Sequence, residues 1–251
     1  FINGGLFESE NINEDLFIPN QVFQDIFEDL LERFNFTIRE DTEFEEEIAI
    51  DPEMLGKIFE QLILSIESEK YKDIPDARRG SGSYYTPRFI VSFMVKQSLL
   101  NYLTNELPEI PKEKLKSLIF CPPDKQKIII DEIDNPKEIR DKLLNLRIVD
   151  PGVGSGAFAV SILNKLVDII EGLNNKLGIN ENRYNLRKKL IEDCIYGVDI
   201  QPRAVHLARL RLWLSLIVDQ KFEKIEPLIN LDFKILKGNS LISKICGFKF
   251  D

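Results

Sequence analysis

The stretch Asp150-Pro151-Gly152-Val153-Gly154-Ser155-Gly156-Ala157-Phe158 decides the fold. Before it, Leu146 to Val149 is a short apolar run that reads as a strand; after it, Ala157 to about Gly172 carries the apolar spacing of a helix. Glycines between a strand and a helix let the backbone turn tightly and approach a ligand, while the helix N-terminus offers N–H groups to negative charge. Further along, Ile195 to Ile200 is the next strand candidate, Pro202 to Val218 the next helix and Phe233 to Leu236 the third strand. Strand, helix, strand, helix, strand predicts a parallel α/β sheet. The helix from Pro202 is apolar nearly all round, so it is expected to be well covered.

The glycines alone do not identify a ligand, because dinucleotide-binding folds use a similar turn and a bare Gly-x-Gly-x-Gly also marks tight loops. Asp199 sharpens the reading. It stands at the end of the second strand, where such folds place an acid that accepts hydrogen bonds from ribose hydroxyls. The gap from Gly156 is about 40 residues rather than the roughly 20 of a minimal unit, so Gly172 to Ile191 has to be an extra helical excursion. Asp199 would serve equally well as an anion at the N-terminus of the next helix.

Upstream, Pro19 to Phe34 has helical apolar spacing, and a second helix is expected from Asp51, with Asp51 as N-cap, Pro52 in the first position and a stripe running to Ile66. Glu40 to Glu47 reads as a solvated acidic loop. Asp73 to Ser83 reads as a flexible loop ending at Tyr84-Tyr85-Thr86-Pro87. A third helix follows, with Thr86 as cap, Pro87 in its first position and Ile90, Met94 and Leu100 making apolar contacts. The polar, proline-interrupted stretch from Leu107 to Asn145 reads as an insertion. The expected division is a helical region over 1–83, a lid motif, helix and insertion over 84–145, and the α/β sheet over 146–251.

With 43% hydrophobic and 30% charged residues among 251, the chain can bury a substantial core, enough for one large domain with a smaller appendage. Its longest apolar runs, such as Leu212 to Val218, are far too short to cross a bilayer, and no signal-peptide pattern opens it, so a cytoplasmic location is the default. Cys121, Cys194 and Cys246 are widely spaced and His206 is the single histidine; free thiols and no metal are expected. A net charge of -9 and a pI near 4.9 predict poor binding to nucleic acid by this chain alone. The start at Phe1 and the end just past a strand-like segment suggest a piece of something larger, in which any basic surface for nucleic acid would lie elsewhere.

Asp150 to Phe158 resembles the Asp-Pro-(Ala/Gly)-x-Gly-Ser-Gly-x-Phe signature of the amino-methyltransferases. Tyr84-Tyr85-Thr86-Pro87 resembles their Tyr-Thr-Pro element. Gly197-Val198-Asp199-Ile200-Gln201-Pro202-Arg203-Ala204 and Gly238-Asn239-Ser240-Leu241 resemble their ribose and adenine elements. With Met54-Leu55-Gly56 and Phe59-Glu60 upstream, the collinear set is similar to the adenine-specific DNA methyltransferases of type IIG, Eco57I-like and phage-defence systems.

That resemblance implies a Rossmann-like sheet, incomplete here and packed against a helical N-terminal region, with S-adenosylmethionine as cofactor. It implies that Tyr85, Thr86 and Pro87 line the methionine end, that Asp150, Gly152, Gly154, Ser155, Gly156 and Phe158 form the floor, that Asp199 takes the ribose, that Ile200 packs on the adenine ring and that Asn239 reads the adenine edge. Each has a plainer reading: Thr86 as a helix cap, Phe158 and Ile200 as core, Asn239 as part of a turn with Gly238. The implied reaction is direct methyl transfer to N6 of an adenine flipped out of double-stranded DNA, in a parent with possible fused nuclease or helicase modules. The Asn-Pro-Pro-Tyr or Asp-Pro-Pro-Tyr tetrapeptide that would hold the base is expected beyond Asp251. Cys121-Pro122-Pro123-Asp124 and Asn135-Pro136-Lys137 lack its essential groups and read as loop prolines. Two other classes account for part of the pattern: a nicotinamide-dependent dehydrogenase, which leaves Tyr84 to Pro87 and Asn239 unexplained, and a non-catalytic scaffold with a decayed site.

Overall fold

The computed structural model describes residues 19–25, 28, 35–36, 49–50, 86–217, 219, 229–242, 244–245 and 248–249. The helix expected from Asp51, the acidic stretch from Glu40, and Tyr84-Tyr85 lie outside the described residues, as does Cys246. Of the helix expected from Pro19, the described part is α1, Asn20–Asp25. Strands β1 (Asn35–Phe36) and β2 (Ala49–Ile50) form a short parallel pair.

Among the described residues, helices α2 (Arg88–Glu106), α3 (Lys112–Phe120), α4 (Pro123–Asp131) and α5 (Pro136–Leu144) lie between Pro87 and the main sheet. The residues from Leu107 to Asn145, read as a polar, proline-interrupted insertion, are largely helical. Pro111, Pro122, Pro123 and Pro136 stand at the starts of its helices instead of breaking them, and Pro108 lies in the turn after α2. Pro123 and Pro136 stand in the first helical turn, where their missing N–H would have no partner anyway. Leu115, Leu118 and Ile119 of α3 and Ile139 and Leu143 of α5 are buried.

β3 (Ile148–Asp150), α6 (Ala157–Leu177), α7 (Arg183–Cys194), β4 (Ile195–Asp199), α8 (Pro202–Ile217) and β5 (Ile235–Lys237) follow in the expected alternation. The strands are parallel in the order β3-β4-β5, with Ile148 opposite Ile195 and Gly197 opposite Ile235. Strands β6 (Lys244–Ile245) and β7 (Phe248–Lys249) form a separate antiparallel pair. The third strand begins two residues later than expected, and α6 runs past Gly172 to Leu177, ended by Gly178 in the left-handed region at φ 68°.

Helices α6, α7 and α8 all touch β4 and also one another, so they cover one side of the sheet. The register puts Ile148, Ile195, Gly197 and Ile235 toward that side and Val149, Tyr196, Val198 and Leu236 toward the other. Helices α2, α4 and α5 pack on α6 as a further layer. The glycine at 172 permits part of that contact: a Cβ there would lie 2.3 Å from Ile130 Cδ1 of α4. Lys176 of α6 then donates to the carbonyls of Ile130 and Asp131 at the end of α4, 2.9 Å each, and to that of Ile133.

The excursion after Gly172 is α7, tied back by arginines. Asn182 caps it by accepting the Tyr184 N–H at 2.9 Å. Fully buried Arg187 donates to Asn164 Oδ1 of α6 and to Asp219 Oδ2, both at 2.6 Å. The α7 loop therefore lengthens the crossover without opening it. Among the described residues no helix is long and apolar enough to cross a membrane.

Candidate functional site

Because β3, β4 and β5 are parallel, their C-terminal ends lie side by side, and there an open α/β sheet presents its loops to a ligand. Asp150 ends β3, Asp199 ends β4 and Gly238 follows β5. The glycine turn folds over this edge. Gly154 (φ 51°) and Gly156 (φ 85°) occupy the left-handed region, which residues with a Cβ adopt only under strain. A Cβ on Gly156 would also sit 3.1 Å from Ala208 Cβ on α8.

Four N–H groups of the turn are taken by the protein itself. Gly152 donates to Asp150 Oδ1 at 3.0 Å, Val153 to the Val198 carbonyl at 3.0 Å, Gly154 to Asp199 Oδ2 at 2.8 Å, and Gly156 to the Val153 carbonyl at 2.8 Å. Three of those groups bond to residues at the strand ends and the fourth closes the turn on itself, so none of the four is spent on an anion cradle. Asp199 also accepts the Gln201 N–H on Oδ1 at 2.8 Å, so it holds both the glycine turn and the first turn of α8. Each carboxylate oxygen keeps a second acceptor site for a hydroxyl donor. The alternative role of Asp199 at the α8 N-terminus is thus present together with a bond across 45 residues to Gly154.

The third element closes on the same point. Gly238 N–H donates to the Asp199 carbonyl at 2.9 Å, and Ser240 Oγ donates to the Pro151 carbonyl at 2.6 Å. Asn239 Oδ1 accepts the Leu241 N–H at 3.0 Å, the local turn foreseen as its plainer role.

On the outer side of β3 a cleft of about 250 Å³ is lined by Met94, Val95 and Ser98 of α2, by Val149, Asp150 and Pro151, and by Phe158, Ala159 and Ile162 of α6. The helix that follows the Tyr-Thr-Pro element therefore forms a wall beside the glycine turn. Thr86, half-buried, and Pro87, exposed, stand just before it. Pro87 occupies the N-cap with no side-chain bond, so the capping expected of Thr86 is not found. The apolar stripe of α2 is also displaced: Val91, Val95, Leu99, Leu100 and Leu103 are buried, whereas Ile90 and Met94 are exposed. Packing on α3 and α6 selects that face.

Asp150 Oδ2 is buried and has no hydrogen-bond partner among the described residues. Burial pushes its carboxyl above the usual carboxylate range; the Gly152 N–H opposes this and Asp199 adds to it. An unsatisfied acceptor beside a cleft suits a ligand that brings a donor. No Cβ on Gly152 would meet another atom within 4 Å, so open space lies over that residue. Ile200 is 61% exposed, an apolar side chain free to pack on a planar group, and Phe158 is half-buried against the core. A larger groove, about 750 Å³ between α2 and α5 beside Tyr102 and Asn135, contains none of the residues expected to bind the cofactor.

Two residues absent from the sequence reading shape the turn. Arg211, 2% exposed, donates from Nη1 to the Ser155 carbonyl at 2.9 Å and to Ser155 Oγ at 3.3 Å, and Ala208 packs under Gly156. The signal available for them was a small residue and an arginine three apart, hence on one face, in a helix that also carries Arg203, His206 and Arg209. Of the cysteines, Cys121 donates from Sγ to the Leu118 carbonyl at 3.2 Å, and burial raises the Cys194 thiol further above neutrality.

The family profile described as MmeI, DNA-methyltransferase domain, matches residues 127–243, from within α4 to past β5. The match includes residues 127–145 of the stretch read as an insertion. The putative type II restriction enzyme and methyltransferase RM.MjaORFECS2P of Methanocaldococcus jannaschii is 33% identical over 260 residues, covering 98% of this chain and 21% of the relative. The adenine-specific methyltransferase PglX of Streptomyces coelicolor is 31% identical over 46% of the chain and 9% of its own length. The type II restriction enzyme and methyltransferase RM.Eco57I of Escherichia coli is 33% identical over 40% of the chain and 12% of its own length. The chain spans about a fifth, or less, of the length of these curated relatives.

Proposed function

The chain belongs to the adenine-specific DNA methyltransferases of the MmeI and Eco57I restriction-modification type, and on that premise we propose that it is the S-adenosylmethionine-binding part of an enzyme that methylates adenine N6 in double-stranded DNA. The convergence of the three strand ends carries this reading: Asp199 holds Gly154, Gly238 holds Asp199, and Ser240 holds Pro151. The three-stranded parallel sheet is then the first half of a Rossmann-like methyltransferase sheet.

When bound, S-adenosylmethionine supplies a methyl group activated by its sulfonium. In the proposed site Tyr85, Thr86 and Pro87 close over the methionine end. Asp150, Gly152, Gly154, Ser155, Gly156 and Phe158 form the floor, and the unsatisfied Asp150 Oδ2 receives a donor from the ligand. Asp199 accepts the ribose hydroxyls on its remaining lone pairs, Ile200 packs on the adenine ring, and Asn239 reads the adenine edge with whatever capacity its turn leaves. The internally bonded N–H groups of Gly152, Val153, Gly154 and Gly156 suit this cofactor, which has no pyrophosphate to be cradled, better than a nicotinamide dinucleotide. At a net charge of -9 the DNA surface belongs to other parts of a longer cytoplasmic protein, in which a nuclease is also proposed.

Calorimetry on the intact protein tests the reading. S-adenosylhomocysteine should bind, NAD should not, and Asp199→Ala should weaken binding at least about tenfold, the size of a lost hydrogen bond to a charged acceptor. Affinity unchanged by Asp199→Ala, or stabilisation by NAD in preference to S-adenosylhomocysteine, would overturn it. Incorporation of labelled methyl into adenine of duplex DNA checks the reaction.

A further inference from the structure

Arg211 places a guanidinium where packing alone would favour an apolar side chain. It is 2% exposed on α8, and its helix neighbours Ala208, Leu212 and Ser215 are all buried. Removing a guanidinium from water is costly unless it bonds to something fixed. Here Nη1 meets the Ser155 carbonyl at 2.9 Å and Ser155 Oγ at 3.3 Å, and charge-assisted bonds of this kind are stronger than those between neutral groups.

These bonds fall in the middle of a seam. Gly154 is held by Asp199 Oδ2, Ser155 by Arg211, and Gly156 by contact with Ala208. All three holders belong to the β4–α8 segment. A trans peptide plane moves as a unit, so a pinned Ser155 carbonyl also fixes the Gly156 N–H, whose 2.8 Å bond to the Val153 carbonyl closes the turn. Releasing the carbonyl therefore releases residues 153 to 156 together.

We propose that Arg211 is a positioning residue: it clamps the glycine turn to α8, so that the turn and Asp199 keep the spacing a shared cofactor requires. The inference rests on the reading that these two elements bind S-adenosylmethionine, and it assigns Arg211 no contact with the ligand.

The test compares Arg211→Met, Arg211→Lys and Leu212→Ala in the intact protein. Leu212 is buried on the same helix, so its truncation controls for lost stability. Two quantities are read well below each unfolding midpoint: affinity for S-adenosylhomocysteine, and hydrogen exchange of the Gly152 to Gly156 amides. Arg211→Met is expected to weaken binding at least about tenfold and to speed exchange at Gly154 and Gly156. Arg211→Lys, which can still reach one acceptor, should recover part of both. Leu212→Ala should lower the midpoint while leaving affinity and local exchange near those of the parent. Wild-type affinity and exchange in Arg211→Met, or equal losses in Leu212→Ala, would overturn the clamp. If Arg211→Met does not fold, Arg211→Lys carries the same comparison. If the parent itself fails to bind S-adenosylhomocysteine, the cofactor reading fails, and exchange at Gly154 and Gly156 still decides whether Arg211 holds the turn.

Discussion

The glycine turn and the layer of helices α2 to α5, which meets α6 through α2, α4 and α5, are held in opposite ways. The turn is fixed by directed polar bonds from Asp150, Asp199, Arg211 and Ser240, with two glycines in the left-handed region. The layer is fixed by apolar burial of Leu115, Leu118, Ile139 and Leu143, with ion pairs such as Lys114–Asp134 left in solvent. Polar bonds specify where atoms stand but contribute little net stability, because water competes for the same groups. Apolar burial contributes most of the stability and tolerates small shifts. The molecule thus separates the part that must be exact from the part that must be stable.

The sharpest way to break that separation is Gly197→Val, because position 197 belongs to both parts. A Cβ there would lie 2.8 Å from Val153 Cγ2 and 3.1 Å from Ile235 Cδ1, so the sheet core and the glycine turn must move apart together. The expected result is a loss of about 3 kcal/mol or more by denaturant titration, with cofactor affinity lost as well.

Leu143→Ala acts on one side of the comparison. It empties a fully buried site on α5, and a loss of about 2 to 3 kcal/mol is expected, with affinity for S-adenosylhomocysteine unchanged at low temperature. A matching fall in affinity would show that the layer also sets the geometry of the turn.

Asp150→Asn acts on the other side, with the smallest effect and the opposite sign. A carboxyl whose folded pKa is raised binds its proton more tightly in the folded state, so its ionisation lowers stability as pH rises from the ordinary value through the raised one. The asparagine cannot ionise. Its melting midpoint should therefore exceed the parent's at neutral pH, and the difference should vanish below the ordinary carboxylate range, while cofactor affinity falls. A midpoint below the parent's at neutral pH would mean that the charged carboxylate contributes stability.

Legibility in the sequence followed the same division. The strand, turn and helix around Gly152 to Gly156 were readable because glycine and proline have few local options, and apolar runs bounded by such residues leave little choice of element. Helices α3 to α5 were not. They are nine residues each and begin at prolines that look like breaks in a linear reading. On α2 the helix was foreseen but its buried face was not, since Ile90 and Met94 are as apolar as Val91 and Val95 and only the neighbours choose between them. Arg211 was passed over because a charged residue in an apolar helix reads as surface until a partner is placed opposite it.

By itself the sequence determined part of the local backbone: the strand, glycine turn and helix around Gly152 to Gly156, and which residues can occupy the left-handed region. It also supplied the motif residues, Asp150, the glycines, Asp199 and Asn239. Only the tertiary structure decided what those residues do to one another. The bond from Gly154 to Asp199 spans 45 residues and exists because β3 and β4 pair in parallel with Asp150 opposite Gly197. Such a register is set by the summed packing of α6, α7 and α8 on one side of the sheet, a property of the whole core that no window of sequence contains.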